Sequence, residues 1–173
     1  MNVQEATTRR LPDLKERHLP ENCRETINTI LKETYGYEQF RNLEIYDDLS
    51  KGKEKLCISQ GQLIENVILE AEKAWKGETQ VDNILLTAPT GSGKSLWFQL
   101  PAIYLGKEYN LLTIVVSPLK ALIVDQVESL QELGYTRVAY ASSDLSPEQK
   151  MEVYRQVREG EIDLFYLSPE LLL

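Results

Sequence analysis

The chain has 173 residues, 42% of them hydrophobic, which is typical of a globular domain with a buried core. Its 19 Lys and Arg residues against 27 Asp and Glu residues give a formal net charge of -8, which excludes a uniformly basic nucleic-acid-binding surface and leaves only local contacts to phosphate. No run approaches the roughly 18 apolar residues of a membrane span. We therefore expect a cytoplasmic protein that does not contact a membrane.

The first 80 residues are predicted to contain two amphipathic helices. Residues 1–34 form a polar arm followed by an amphipathic helix, which ends before Gly36. Residues 35–80 contain a charged loop over 42–59 and then a second amphipathic helix, which Gly77 closes. Residues 1–80 are therefore expected to be an N-terminal extension of the domain over 81–173.

Residues 81–173 alternate short apolar segments with helical patterns. The apolar segments cover 84–86, 111–116, 137–140 and 163–167, and a helical pattern comes after each of the first three. This alternation predicts an α/β fold with a parallel sheet flanked by helices. The first two segments are apolar throughout, so we expect strands buried on both faces.

A glycine-rich segment lies between the first apolar segment and an apolar helix. It reads Ala-Pro-Thr-Gly-Ser-Gly-Lys-Ser and ends at Ser95. The two glycines permit a backbone that curls N–H groups around a phosphate, and Lys94 brings a positive charge to the β and γ phosphates. The Ser95 hydroxyl is suited to coordinate Mg²⁺. A glycine-rich turn without a ligand is the alternative, but a chance match seldom has this context.

The segment is thus predicted to be the phosphate-binding loop of an NTPase with ATP and Mg²⁺ as its ligands. The predicted nucleotide-binding residues of the loop are Thr90, Gly91, Ser92, Gly93, Lys94 and Ser95.

The sequence of this loop, with Ala88 where the general pattern has Gly, resembles motif I of superfamily 2 helicases. Four further segments agree with that family in order. Residues 35–41 resemble the motif before the nucleotide site of RecQ-type DNA helicases, residues 116–127 resemble motif Ia, the turn at Ser142 resembles motif Ib, and residues 166–170 resemble the segment before the Asp-Glu-x-His box.

The resemblance implies the first RecA-like lobe of an ATP-driven nucleic-acid translocase of RecQ-like type. It adds Arg41 to the nucleotide-binding residues and implies single-stranded or duplex DNA as the partner, with RNA less expected. A second RecA-like lobe is expected in the full-length protein. The implied nucleic-acid contacts are Ser117, Pro118, Leu119, Ser142, Ser168, Pro169 and Glu170. Ser117 and Ser168 follow predicted parallel strands, and ligands bind at that edge of open α/β sheets.

One departure from the family concerns the adenine-reading Gln. In the family a Pro-Gly-Gln sequence comes directly after the Phe-Arg pair, whereas here Asn42 follows Arg41. An insertion of roughly twenty residues explains the displaced pattern and gives the adenine role to Gln62. The alternative, in which Gln62 is merely an N-terminal helix residue, is equally compatible with the sequence.

A second departure is that the sequence ends before the Asp-Glu-x-His box. We therefore expect no catalytic residue within these residues, and weak ATP binding with negligible hydrolysis by the isolated chain. Asp163 and Glu170 receive no catalytic role, because Asp163 begins a strand and Glu170 belongs to a turn. The alternatives to a RecQ-like DNA helicase lobe are an RNA helicase lobe of the DEAD-box type and a nucleotide-binding module without translocation.

Overall fold

The structure is a computed structural model that describes residues 17–46, 55–88 and 90–172. The predicted polar arm lies outside the described residues as far as residue 16, as does Pro89 of the glycine-rich loop.

Five helices and five strands form in the described residues. The helices are α1 (Glu21–Tyr35), α2 (Gln60–Trp75), α3 (Leu96–Tyr109), α4 (Lys120–Glu132) and α5 (Pro147–Arg158). The strands are β1 (Asn42–Tyr46), β2 (Lys55–Ser59), β3 (Thr113–Val116), β4 (Val138–Ala141) and β5 (Leu164–Leu167), and a short 3-10 turn spans Pro169–Leu171.

The chain divides into two compact units. The first comprises Met1–Asn28 and Glu38–Pro101, and the second comprises Thr29–Tyr37 and Ala102–Leu173. The domain boundaries that we expect from sequence, after residues 34 and 80, stay a prediction. None of the helices in the described ranges combines the length and apolar character needed to cross a membrane.

The first unit contains an antiparallel hairpin of β1 and β2, in which Leu43 pairs with Ile58. The prediction of a loop is therefore wrong over 42–46 and 55–59, and its remaining part, residues 47–54, lies outside the described residues. Apolar residues alternate in the sequence of both strands, at Leu43 and Ile45 in the first and at Leu56 and Ile58 in the second, and this is a strand signal of period two. The charged residues between the two strands obscured it.

A buried carboxylate in α2 ties distant parts of the first unit together. Glu70 is 4% exposed and accepts hydrogen bonds from Arg17 at 2.6 Å, from Lys73 at 3.0 Å and from the Asp82 N–H at 3.0 Å. Burial alone raises the pKa of Glu70, but these three donors outweigh burial and lower the pKa to about 2. Glu70 is thus charged in the folded protein at all ordinary pH values.

The second unit is built on a parallel three-stranded sheet with strand order β3-β5-β4. Helices α4 and α5 contact its strands, so the predicted parallel sheet flanked by helices is confirmed. The prediction that β3 is buried on both faces is wrong, because Ile114 and Val116 are 54% and 47% exposed. No element of the described part of this unit covers that face of β3.

The apolar segment before the glycine-rich loop is not a strand. Residues 81–88 are neither helical nor paired in a sheet, and Leu85 is 89% exposed. The predicted strand over 84–86 is therefore wrong in this structure. An apolar run indicates a tendency to form a strand. A strand also needs a neighbouring strand that bonds its backbone N–H and C=O groups, and the run itself does not provide one.

Candidate nucleotide and nucleic-acid sites

The glycine-rich loop has the backbone that its glycines predict. Gly91 and Gly93 have φ angles of 81° and 78°, in the left-handed region that side chains disfavour. The first backbone bonds of α3 begin within the loop, because the Leu96 N–H donates to the Gly93 carbonyl at 3.1 Å. The loop therefore leads directly into a helix N-terminus, where free N–H groups favour anions.

The loop lysine is held by the loop itself. The Lys94 ammonium donates to the Ala88 carbonyl at 2.7 Å, and Lys94 is exposed to solvent. Ser95 is half-buried directly before α3, and Thr90 is exposed. A neutral carbonyl is a weak competitor for a lysine compared with a phosphate, so Lys94 is available to an incoming nucleotide.

Gln60, the first residue of α2, reaches the loop from outside it. Its amide N–H donates to the Ser92 carbonyl at 2.9 Å, and its amide oxygen accepts from the Arg41 N–H at 3.2 Å. The Gln60 N–H also donates to the Arg41 carbonyl at 2.9 Å. A Cβ added to Gly93 would lie 2.7 Å from the Gln60 amide nitrogen, so a side chain at this position would displace the Gln60 amide from the loop.

The hairpin explains how Arg41 and Gln60 meet. Strands β1 and β2 pair from Asn42 with Ser59 onward, so the residues on either side of the hairpin are neighbours in space. The roughly twenty residues that we interpret as an insertion therefore leave and return at the same point. The Arg41 side chain itself is exposed.

Gln62 has a different role in the structure. Its side-chain oxygen accepts from the Ser59 N–H at 3.0 Å, and it completes a capping box in which the Ser59 hydroxyl caps the start of α2. This arrangement corresponds to the alternative that the sequence left open. The adenine role of Gln62 stays a prediction, but its amide oxygen is already bonded in the cap.

The expected nucleic-acid residues of the second unit differ in exposure. Ser117 is half-buried, and Pro118 and Leu119 are exposed at the carboxyl end of β3. Ser142 and Ser168 are 4% and 0% exposed. The Ser142 hydroxyl accepts from the Asp144 N–H at 3.3 Å, which gives it a local role in the turn after β4.

A cluster of polar side chains joins the carboxyl ends of the three strands. The Lys120 ammonium donates to the Ser143 hydroxyl at 2.5 Å and to the Asp144 carboxylate at 2.8 Å, and it lies 3.7 Å from the Glu170 carboxylate. The Ser143 hydroxyl also donates to Glu170 at 3.1 Å. Lys120 follows β3, Ser143 and Asp144 follow β4, and Glu170 follows β5. We call Lys120, Ser143, Asp144 and Glu170 the edge cluster.

The two carboxylates of the edge cluster stabilise the charged lysine. Its hydrogen bond to Asp144 raises the pKa of Lys120, and the same bond lowers the pKa of Asp144. The pKa of Glu170 is lowered, first by its own backbone N–H and then by side-chain hydrogen bonds and the charge of Lys120. The edge cluster thus carries one cation and two anions near neutral pH.

Sequence reasoning missed three of these residues. Gln60 was overlooked in favour of Gln62, although Ser59 and Gln62 have the spacing of a capping box, which would have assigned Gln62 to the cap. Lys120 directly follows the predicted contact Leu119 and is a cation beside an expected phosphate path. Ser143 follows Ser142, and only the fold reveals that Ser143 is the exposed serine of the pair.

Asp163 belongs to a buried structural network at the start of β5. It is 3% exposed and accepts two hydrogen bonds from Arg137 and one from the Tyr135 hydroxyl, each at 2.7 Å. Burial and the hydrogen bond to Asp163 raise the pKa of Tyr135. Every carboxylate oxygen of Asp163 is therefore engaged in holding the sheet.

The loop residues fit a magnesium nucleotide in part. Ser95 offers a hydroxyl beside the helix N-terminus, and Lys94 offers a charge to the phosphates. Mg²⁺ is commonly bound through one or two carboxylates together with substrate phosphates and water. No group of three or more His, Cys, Asp or Glu residues suited to a metal occurs among the described residues. Among the loop residues, the Ser95 hydroxyl is the group that would coordinate Mg²⁺.

Comparison with known proteins agrees with this geometry. The family model for the DEAD/DEAH box helicase matches residues 60–173, which include Gln60, the glycine-rich loop and the edge cluster. The chain belongs to the DEAD/DEAH box helicase family. The α/β nucleotide-binding lobe expected from sequence is thereby confirmed, and this family generally binds ATP.

Curated relatives of this helicase domain are named as ATP-dependent DNA helicases, among them RecQ proteins. The chain is 34% identical over 150 residues to the ATP-dependent DNA helicase RecQ of Synechocystis, and the alignment covers 87% of this chain and 25% of the relative. It is 31% identical to the RecQ of Haemophilus influenzae, covering 86% and 19%, and 33% identical to the ATP-dependent DNA helicase Q-like 5 of Arabidopsis thaliana, covering 86% and 13%. The RecQ-like resemblance is confirmed, and the chain spans a quarter or less of these relatives.

Proposed function

We propose that this domain binds Mg²⁺-ATP and the backbone of single-stranded DNA as the nucleotide-binding lobe of a RecQ-like DNA helicase. The observation that carries the proposal is the glycine-rich loop, with two left-handed glycines, an exposed lysine and a helix that begins at its end. The RecQ names of the relatives support DNA as the nucleic acid. A second RecA-like lobe is part of the same proposal for the full-length protein.

The nucleotide would bind with its phosphates at the loop. The N–H groups around Gly91 and Gly93 would donate to phosphate oxygens, and Lys94 would leave the Ala88 carbonyl for the β and γ phosphates. Ser95 and Thr90 would lie beside the bound Mg²⁺ and phosphates. ATP supplies the phosphoryl group whose transfer drives a helicase, and these residues bind and orient it.

We infer that Gln60, and not Gln62, is the glutamine that takes part in nucleotide binding. Gln60 is 3% exposed, bonds the loop at Ser92 and is joined to Arg41 at the base of the hairpin. A nucleotide that moves the loop therefore changes a hydrogen bond of Gln60. In the described part of the chain the Gln62 side chain instead caps α2.

The single strand would cross the carboxyl ends of β3, β4 and β5. Pro118 and Leu119 are exposed there and Ser117 is half-buried, and Lys120 and Ser143 offer the donors that a phosphate needs. Ser168 and Ser142 are buried, so we expect them to support the turns behind the contact surface. Glu170 would act on DNA through Lys120, since a carboxylate repels phosphate.

Nucleotide binding is tested by titrating Mg²⁺-ATP into the chain by calorimetry. We expect Lys94→Ala to weaken binding by about tenfold to a hundredfold, the usual worth of a hydrogen bond to a charged group. Lys107→Ala is the matched control, because Lys107 is an exposed lysine in the last turn of α3. Equal binding by the wild type and Lys94→Ala would contradict the proposal.

The choice of nucleic acid is tested by fluorescence anisotropy with oligo-dT and oligo-rU of the same length. The proposal expects tighter binding of oligo-dT. Tighter binding of oligo-rU would favour the RNA helicase alternative, and absence of binding to both would favour a nucleotide-binding module.

A further inference from the structure

Strand β4 lies at one edge of the sheet, and within the described residues it pairs only with β5. The Arg137 carbonyl accepts from the Leu164 N–H at 3.3 Å, and the Ala141 carbonyl accepts from the Ser168 N–H at 3.2 Å. Hydrogen-bonding direction alternates along a strand, so Val138 and Tyr140 point their N–H and C=O groups away from β5. These groups form an open edge.

A groove of about 940 Å³ follows this open edge. One wall is α4 and the other is α5, while β4 forms the floor between them. Its apolar lining includes Val127, Val138 and Ile162, which are 3%, 2% and 7% exposed. An extended chain in the groove would find backbone partners along β4 and apolar contacts beneath it.

The walls of the groove are acidic. Glu128, Glu148, Glu152 and Glu161 line it. Arg137 is the basic residue among the lining residues, and its guanidinium is already bonded to the two carboxylate oxygens of Asp163.

Two of the four glutamates already form an ion pair within the protein. Arg155 of α5 bonds Glu152 and Glu161, which reduces their negative field. Glu128 and Glu148, on opposite walls, form no ion pair with Lys or Arg in the described ranges. The uncompensated charge is therefore carried by one carboxylate on each side of the strand edge.

We propose that the open edge of β4 and its groove form a docking surface for a basic, extended peptide segment of a partner protein. The segment adds to the sheet as a further strand, with its backbone bonded to Val138 and Tyr140 and its cations beside Glu128 and Glu148. A second copy of this chain is disfavoured, because it would bring the same four carboxylates against these. Successive side chains of the added strand face opposite walls, so two adjacent basic residues supply one cation to each wall, and apolar residues beside them pack on the apolar lining.

The probe is a fluorescein-labelled heptapeptide with Lys on both faces of an extended strand, Val-Lys-Lys-Val-Lys-Lys-Val, titrated with the chain by anisotropy. Two further peptides carry N-methyl groups on the amides of the even-numbered positions or on those of the odd-numbered positions after the first. Because only alternate residues of an added strand bond the edge, we expect methylation in one of these frames to weaken binding by about tenfold and in the other to be tolerated. Hydrogen exchange should slow at the Val138 and Tyr140 amides when the unmethylated peptide binds.

The charge contribution is tested with Glu128→Lys and Glu148→Lys combined, which we expect to weaken peptide binding by about tenfold. Glu21→Lys combined with Glu33→Lys is the matched control, because it makes the same change in net charge at two exposed residues of α1 that do not line the groove. Equal weakening by both methylated peptides, or by this control, would overturn the proposal in favour of nonspecific charge attraction. Concentration-dependent dimerisation that protects Val138 and Tyr140 without peptide would overturn it in favour of a second copy.

Discussion

The glycine-rich loop and the edge cluster each keep a lysine bonded to protein oxygen, but the two acceptors differ. Lys94 is held by one neutral carbonyl, that of Ala88, whereas Lys120 is held by Asp144 and Glu170, both charged. A phosphate replaces a neutral acceptor with a net electrostatic gain, but it must compete with a carboxylate on nearly equal terms. We therefore expect the loop to bind its phosphates much more tightly than the edge binds a nucleic-acid backbone.

The same contrast extends to the carboxylates. Glu70 in the first unit is buried with three donors, while Asp144 and Glu170 of the edge cluster have side chains 69% and 44% exposed. A buried carboxylate of this kind supports the fold, whereas exposed ion pairs contribute little to stability. The edge carboxylates are thus free to serve binding.

The largest expected effect is on stability, from Glu70→Gln. Because the folded pKa of Glu70 is lowered from 4.5 to about 2, its contribution is complete above pH 4.5 and is lost as the pH falls toward 2. We expect Glu70→Gln to lower the free energy of unfolding by about 3 kcal/mol at pH 7, with the difference from wild type shrinking below pH 4.5. Urea denaturation followed by tryptophan fluorescence reports on this unit, which contains Trp75 and Trp97.

Two variants control this measurement. Glu78→Gln makes the same chemical change at an exposed position of the first unit and should have no effect. Asp144→Asn removes an exposed carboxylate of the second unit and should leave the tryptophan transition unchanged. A pH-independent difference between Glu70→Gln and the wild type would show that the charge of Glu70 is not responsible.

The next effect concerns the loop and its contact with Gln60. Gly93→Ala combines left-handed strain with a collision at the Gln60 amide, so we expect about a tenfold loss of Mg²⁺-ATP affinity. Gly91→Ala is the matched control, because it has similar strain with nothing within 4 Å of the added Cβ. In a Gln60→Ala background the effect of Gly93→Ala should diminish and that of Gly91→Ala should not. If the Gln60→Ala background changes the affinity loss of both glycine variants equally, the contact between Gln60 and the loop does not contribute to nucleotide binding.

How much of the fold the sequence predicts depends on whether the signal is local. Helix α5 begins at Pro147 and is capped by Ser146, as its Ser-Pro start indicates. The strands β4 and β5 are likewise read from short apolar runs. The hairpin was missed because its alternation of apolar and polar residues is short. The strand over 84–86 was predicted from its apolar run, but in the described residues it has no neighbouring strand to pair with, and no local pattern encodes such pairing.

The candidate sites follow the same rule. The glycines of the loop were predictable because their function lies in their own backbone angles. Gln60 was not, because it reaches Ser92 only after a hairpin returns the chain to Arg41. Lys120 and Glu170 are 50 residues apart in sequence, and the parallel sheet alone brings them together.

A smaller effect is expected from removing the edge lysine. Lys120→Ala should weaken oligo-dT binding by about fivefold and reduce the slope of log affinity against log salt by about 0.7, the value for one single-strand phosphate contact. Anisotropy titrations at several salt concentrations measure both quantities. Lys107→Ala serves again as the exposed-lysine control, and an identical loss of slope in both variants would indicate general charge rather than a contact at the edge.

The smallest effect, and the one of opposite sign, is expected from Asp144→Asn. Removing this carboxylate frees Lys120 from its strongest competitor, so oligo-dT affinity should rise by about threefold. The lowered pKa of Asp144 means that its hold on Lys120 is complete above the ordinary carboxyl range and is lost only as the pH falls through that lowered value. Wild-type binding attributable to this pair should therefore be constant between pH 7 and pH 5.

Glu132→Gln removes one negative charge from the exposed end of α4 and provides the matched comparison. If Asp144→Asn and Glu132→Gln raise the affinity equally, the gain reflects net charge alone. A gain confined to Asp144→Asn, and absent when Lys120 is also replaced by Ala, assigns it to the released lysine. The edge would then bind phosphate more weakly than the loop because its lysine is restrained by a charge of the protein itself.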